Sequence, residues 1–128
     1  MDNIDENIVN LVQVLNSFKS VQTIGSCGGH LHPKEGQWEK GTWYLKFEID
    51  ETPEGWRTLE FLAWAINQEY DDDLTVFFIP KANPPWLNKP HKTLCWVIEG
   101  YNGQDPNALA EFLALAKSDF FEIDAENI

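Results

Sequence analysis

Residues 42–50 read TWYLKFEID, and this stretch decides what kind of fold the chain can adopt. Apolar side chains occupy every second position, which is the period of a β-strand. One face of the strand is predicted to enter a hydrophobic core, and it carries Trp43, Leu45, Phe47 and Ile49. The other face is more polar and carries Thr42, Tyr44, Lys46 and Glu48. The pattern therefore predicts a sheet that packs against another layer on one side.

Helices are predicted both before and after this strand in the sequence. Thr52 and Pro53 form an N-cap followed by proline at the first helical position, and Asp105 and Pro106 repeat that signal later in the chain. The N-terminal segment is helical by its spacing, because apolar residues recur at three- and four-residue steps: Ile4, Ile8, Leu11, Leu15 and Phe18. Three helices are therefore expected.

Three further strands are predicted. Residues 21–24 form a short apolar piece that runs into a glycine-bearing turn at residues 25–32. Residues 74–79 (LTVFFI) are continuously apolar and are typical of a central strand, and residues 94–98 (LCWVI) are typical of a second buried strand. The segment between them, 80–92, contains four prolines and is expected to be a loop, which favours antiparallel pairing of its two strands.

The predicted order is thus α-β-β-α-β-β-α. At 128 residues the chain is expected to form one domain, an α/β two-layer sandwich with a mixed or largely antiparallel sheet packed by helices. Residues 122–128 are expected to form a frayed tail.

Composition excludes several classes of protein. The chain carries 21 acidic and 9 basic residues, for a net charge of −12, and Arg57 is its single arginine, so broad nucleic-acid binding is disfavoured. No apolar run is long enough to span a membrane, and the first residues lack the basic region of a signal peptide. Two cysteines without such a signal indicate free thiols in a reducing cytosol. We therefore expect a cytoplasmic protein without membrane contact.

The acidic residues are unevenly distributed. Residues 7–34 and 74–98 contain no aspartate or glutamate, although they contain five lysines, both cysteines and all three histidines. Burial explains part of this gap, but it does not explain why the loop residues within it are basic. We expect the turn at 25–32 and the loop at 81–92 to meet in a neutral-to-positive cleft.

A small, anionic ligand is the predicted occupant of this cleft. Backbone N–H groups of a glycine-rich turn that follows a strand can cradle an anion, although glycines are also common in ordinary loops that need positive φ. The candidate ligand-binding residues are Ser26, Cys27, Gly28, Gly29, His30, Trp86, Lys89 and His91. Trp86 stands in a proline-rich loop and either covers the ligand or anchors the loop.

Metal binding and nucleophilic catalysis are weaker readings of the same residues. The low-ranking candidate metal ligands are Cys27, His30, His32 and His91, with Cys95 more typical of a small core residue. His30 could activate Cys27 as a nucleophile, but the sequence offers no third group to orient the histidine.

The N-terminal region resembles the wybutosine-synthesis tRNA methylase family. Its helix and the following Thr23-Ile24-Gly25-Ser26-Cys27-Gly28-Gly29 are similar to that family's opening helix and Thr-Thr-Ser-Ser-Cys-Ser-Gly-Arg motif. Ser26 and Cys27 match the motif, His30 replaces its arginine, and only Asp50 remains of the family's later Ser-His-Asp. The resemblance implies an S-adenosylmethionine cofactor and a transferase of the methyltransferase type.

Three functions follow from these observations. The first is binding of a small ligand, either S-adenosylmethionine or a nucleotide, at the 25–32 turn. The second is a non-catalytic interaction protein, with a protein partner or a second copy of the chain docked on Trp38 and Trp86. The third is a metal-binding module.

Overall fold

The chain folds in the predicted order, α-β-β-α-β-β-α. The computed structural model describes residues 4–70, 76–82 and 94–126. Its helices are α1 (Val9–Asn16), α2 (Pro53–Trp64) and α3 (Pro106–Glu126). Its strands are β1 (Val21–Cys27), β2 (Trp43–Ile49), β3 (Val76–Ala82) and β4 (Leu94–Gly100). A 3-10 turn (Glu6–Ile8) precedes α1, and a π-helical segment (Ala65–Tyr70) continues α2.

The four strands form one antiparallel sheet in the order β1-β2-β4-β3. The antiparallel pairing of β3 with β4 confirms the prediction from their connection. The prediction of a central strand at 74–79 is wrong, because β3 lies at the edge of the sheet. Residues 74 and 75 lie outside the described residues. The edge position also explains why β3 continues through Pro80, since an edge strand tolerates a residue without a backbone N–H.

Strand β1 extends further than the sequence predicts. The expected turn begins at Gly25, yet the strand runs to Cys27, and its pairing with β2 shifts register between Thr23 and Gly25. An isolated glycine inside a strand is typical of a β-bulge as well as of a turn, and here it accompanies the bulge. The bulge leaves Ile24 exposed and places Cys27 directly opposite Tyr44.

All three helices contribute to one hydrophobic core against one face of the sheet. The inner face of β2 is buried as predicted, and its neighbours in the core include Leu11 of α1, Phe61 of α2 and Leu113 of α3. Side chains of β2 at alternate positions point away from this core, so Tyr44 and Lys46 lie on the outer face of the sheet. The structure is thus a two-layer α/β sandwich with the helices on one side.

Polar caps begin α2 and α3 where the sequence predicts them. The Thr52 hydroxyl accepts a hydrogen bond from the Gly55 N–H at 3.1 Å, and the Asp105 carboxylate accepts one from the Asn107 N–H at 2.9 Å. Helix α3 then continues to Glu126, so residues 122–126 of the expected tail are helical. No helix within residues 4–70, 76–82 and 94–126 is both long and apolar enough to cross a membrane.

Replacing Gly100 with alanine is expected to destabilise the fold by about 1–3 kcal/mol, because the new methyl group would overlap a packed ring. Gly100 pairs with Trp43 across β2 and β4, and the Trp43 indole, 1% exposed, covers the position of a Cβ. Urea denaturation followed by circular dichroism measures the change.

Gly25→Ala is the matched control, because a Cβ at Gly25 meets nothing within 4 Å. This variant is expected to keep or slightly raise the unfolding free energy. Equal destabilisation by both substitutions would contradict the role assigned to the Trp43 contact.

Candidate functional site

The end of β1 buries Cys27 on the outer face of the sheet. Its cross-strand partner Tyr44 lies on that face, and directly opposed residues of paired strands share a face. Cys27 is 3% exposed, and its Sγ accepts a hydrogen bond from the Trp38 backbone N–H at 3.3 Å. Cys27 and Cys95 are both free thiols. The predicted reactive cysteine is therefore a buried, hydrogen-bonded group.

Asp5 holds the turn that follows Cys27. Its Oδ2 accepts a hydrogen bond from the Gly28 N–H at 2.8 Å and lies 3.0 Å from His30 Nε2. The Asn7 side-chain amide donates to the Gly28 carbonyl at 2.9 Å from the same N-terminal segment. A carboxylate of the protein itself thus takes the Gly28 N–H that the sequence suggested for an external anion. We call this group of contacts the Asp5 clasp.

The backbone of His30 is fixed as firmly as its ring. Its N–H donates to the Trp38 carbonyl at 2.8 Å, and its carbonyl accepts from the Lys40 N–H at 2.9 Å. These bonds hold the connection between β1 and β2 against the turn. The side chain of His30 consequently has a defined position beside Asp5.

Asp5, Cys27 and His30 form one cluster. A carboxylate oxygen, the Cys27 Sγ and a His30 ring nitrogen all lie within 4.8 Å of one another. Two of the sequence-predicted metal candidates are thereby confirmed as neighbours, and Asp5 is the third group that sequence reasoning missed. His32 is exposed and is not part of the cluster, and His91 lies outside the described residues.

The predicted ligand-binding residues that the structure describes do not all lie on the same side of the sheet. Ser26 pairs with Leu45, on the helix-covered face, so its side chain and that of Cys27 lie on opposite sides of the sheet. Gly28 and Gly29 follow at the same end of the sheet. Trp86 and Lys89 lie outside the described residues. Among the predicted residues that the structure describes, Gly28, Gly29 and His30 therefore lie beside Cys27 at the turn.

The strand register separates the turn from Lys81, the described start of the expected loop at 81–92. Cys27 aligns through Tyr44 with Glu99, whereas Lys81 pairs with Cys95. These rows are four residues apart, about 13 Å at the rise of a strand. Residues 83–92 of the loop lie outside the described residues, so the expected cleft between the turn and the loop stays a prediction.

A groove of about 410 Å³ opens beside the Asp5 clasp. Three loops form it. They are the turn at Gly28 and Gly29, the segment with Lys40 and Gly41 that leads into β2, and the segment that leads into α3. A hydrogen bond of 2.9 Å from the Gly103 N–H to the Gly41 carbonyl joins the second loop to the third. We call this cavity the glycine groove. Its lining includes Gly28, Gly29, Leu31, Lys40, Gly103 and Asp105.

Backbone conformation at Gly29 makes glycine necessary in this groove. Its φ is +94°, which side-chain-bearing residues rarely adopt, and a Cβ would collide with the Thr42 carbonyl. The predicted alternative of a turn that needs positive φ is therefore confirmed at Gly29. It is not confirmed at Gly25 or Gly28, whose φ values are not positive.

An aromatic group lies next to the cluster on the outer face. Trp38 packs on Tyr44 and Tyr101, with ring centroids 5.0 and 5.8 Å away. Trp38 is therefore half-buried within the chain's own aromatic group, and docking of a partner on it stays a prediction. A second cavity of about 310 Å³ beside this group is lined by Trp38, Tyr44, Lys46, Lys81 and Glu99.

Two phenols of this aromatic group hold their protons more tightly than usual. The hydrogen bond from the Tyr101 hydroxyl to Glu99 at 2.8 Å raises the pKa of Tyr101. Burial, followed by the charges of Cys27 and Asp5, raises the pKa of Tyr44. Both phenols are therefore neutral hydrogen-bonding groups throughout the physiological pH range.

Comparison with known proteins found no matching family model, no matching curated protein and no matching solved structure. The resemblance of the N-terminal region to the wybutosine-synthesis methylases therefore stays a prediction.

Glu99→Gln is expected to lower the pKa of Tyr101 toward the usual tyrosine value. The Glu99 carboxylate accepts the phenol proton and repels the phenolate, and a neutral amide at this position repels the phenolate less than the carboxylate does. A phenol with a raised pKa in the folded state adds stability that is present at neutral pH and is lost as pH rises through that pKa. NMR titration of the tyrosine ring carbons measures the change.

The exposed Glu39→Gln is the control for general loss of negative charge. If both variants shifted Tyr101 equally, the specific hydrogen bond would not be the cause.

Proposed function

We propose that this protein is a cytosolic domain that binds a small anionic ligand in the glycine groove. The observation that carries the proposal is the convergence of Gly28, Gly29, Lys40 and the start of α3 around one cavity of about 410 Å³. This volume lies within the range of small-molecule sites, about 300–1,000 Å³. The two free thiols are consistent with a reducing compartment.

Charge around the groove supports an anionic group on the ligand. The lining includes the cationic residue Lys40, and it also includes Pro106, where the positive end of the 21-residue helix α3 lies. Asp105 also lines the groove, but its Oδ1 accepts the Asn107 N–H and so neutralises part of the helix terminus itself. An anion is therefore placed best on the Lys40 side.

Apolar surface at the same groove supports a ligand with a second, less polar part. The Leu31 side chain is 72% exposed at the rim, and Trp43 and Pro106 contribute to the wall. Four glycines in the lining, Gly28, Gly29, Gly41 and Gly103, allow a flat group to approach the backbone closely. A nucleoside with an acidic group combines these features.

Two ligands of this chemistry are the natural candidates. One is a nucleotide, whose phosphate is the anionic group. The other is S-adenosylmethionine, which the family resemblance implies and whose carboxylate is the anionic group. If S-adenosylmethionine is the ligand, the resemblance further implies methyl transfer as the reaction. The net charge of −12 argues against a large nucleic-acid substrate in either case.

Isothermal titration calorimetry with AMP, ATP and S-adenosylmethionine tests this proposal. We expect one of them to bind with 1:1 stoichiometry, and Lys40→Ala to weaken that binding about tenfold, since a charged hydrogen bond contributes about 1.5 kcal/mol. The affinity for the same ligand is expected to fall as salt concentration rises.

Lys34→Ala is the matched control, because Lys34 is exposed in the same connection between β1 and β2 but does not line the groove. This variant is expected to retain the wild-type affinity. The proposal fails if none of the three ligands binds, or if Lys34→Ala weakens binding as much as Lys40→Ala.

A further inference from the structure

We propose that Asp5, Cys27 and His30 bind a divalent transition-metal ion, and that zinc is the ion this ligand set fits best. The three groups come from two separate parts of the chain, and their oxygen, sulfur and nitrogen atoms lie within 4.8 Å of one another. The site is distinct from the glycine groove, in which Asp5, Cys27 and His30 take no part.

The donor set selects the class of metal. A cysteine sulfur and a histidine nitrogen are ligands of zinc and its neighbours, whereas calcium and magnesium require oxygen ligands. A carboxylate oxygen completes a mixed set that zinc accepts. Zinc accepts all three donor types in tetrahedral sites and is therefore the first ion to test.

The separation of the donor atoms is close to what a tetrahedral ion needs. Zinc bond lengths of about 2.0–2.3 Å place neighbouring donor atoms about 3.4–3.6 Å apart. The Asp5 oxygen and His30 Nε2 are 3.0 Å apart, and every pair in the cluster lies within 4.8 Å. Side-chain movements of about 1 Å would therefore convert the Asp5–His30 hydrogen bond into two metal contacts.

Hydrogen bonds from neighbouring backbone groups already orient the three ligands. The Trp38 N–H donates to Cys27 Sγ, as expected for a stabilised thiolate ligand, and the Gly28 N–H donates to Asp5 Oδ2. The backbone of His30 is held at both its N–H and its carbonyl. Such partners fix the direction of metal ligands and raise their affinity for the ion.

Burial is graded across the cluster in a way that permits entry of an ion. Cys27 is 3% exposed, whereas the side chains of Asp5 and His30 are 32% and 30% exposed. An ion would enter between Asp5 and His30 and meet the buried sulfur last. Three protein ligands leave a fourth position on the solvent side, where water completes a tetrahedron.

Cobalt binding to the untagged full chain tests the site directly. Cobalt replaces zinc in sulfur-containing sites, and a cobalt–thiolate bond produces a strong near-ultraviolet absorption band. We expect one equivalent of cobalt to produce this band and one equivalent of zinc to abolish it by displacement. Zinc is also expected to raise the thermal unfolding temperature, because it binds the folded chain.

Matched variants identify the ligands. Cys27→Ser is expected to eliminate the band. Asp5→Ala and His30→Ala are each expected to weaken zinc binding at least about 100-fold, because loss of a ligand costs more affinity than loss of a group that hydrogen-bonds to a ligand. Cys95→Ser removes the other buried thiol and is expected to leave both the band and the zinc affinity unchanged. His32→Ala is expected to change the affinity by less than about threefold.

Three outcomes would overturn the proposal. Wild-type protein that shows no cobalt–thiolate band and no zinc-induced rise in unfolding temperature would identify the cluster as an internal hydrogen-bonded clasp only. A band that survives Cys27→Ser and disappears in Cys95→Ser would assign the metal elsewhere. Loss of zinc binding in His32→Ala would show that the three-residue set is wrong. Wild-type measurements decide the first outcome even if Cys27→Ser fails to fold.

Discussion

Strand β2 is the element on which the rest of the molecule depends, because it is hydrogen-bonded along both edges and its two faces have opposite characters. Its inner residues, among them Trp43 and Phe47, lie in the core shared by all three helices. A shift of one residue in its register would expose those side chains and bury Lys46. The strand therefore determines both where the helices pack and which face of the sheet carries Tyr44. It also sets the row in which Cys27 lies, since Cys27 is paired with Tyr44.

The Asp5 clasp organises the end of the sheet that carries the candidate site. One carboxylate connects the residues ahead of α1 with the turn after β1, and it does so through the Gly28 N–H and His30. This contact gives the turn a defined shape without a bound ligand. It places two features side by side: a cluster with the donor atoms of a metal site, and a groove bounded by glycine backbone and Lys40.

Local sequence signals were sufficient where the controlling interaction is local. The alternation in β2, the Thr52 and Asp105 caps, and the antiparallel connection of β3 to β4 depend on neighbouring residues, and all agree with the structure. Errors arose where a local signal has two structural meanings. Gly25 accompanies a bulge instead of starting a turn, and Pro80 continues an edge strand instead of ending it. Which meaning applies depends on the position of the strand in the sheet, which is a nonlocal property.

The candidate site shows the same division. Cys27 and His30 are three residues apart, so their proximity could be predicted from spacing, and the glycines between them indicated a tight turn. Asp5 precedes Cys27 by more than twenty positions, and in the sequence it resembles any acidic residue near the start of a helix. Its place beside the turn follows from the packing of α1 against β1 and α3, and sequence spacing carries no information on that packing.

By itself, then, the sequence determined the element order, the buried face of β2 and the chemical types available at the turn, because periodicity, caps and spacing are encoded within a few neighbouring residues. Only the tertiary structure decided that β3 is an edge, that Ser26 and Cys27 lie on opposite faces, and that Asp5 completes the cluster with Cys27 and His30. Those features depend on strand order and on contacts between distant segments, which form only when the hydrophobic core brings the segments together.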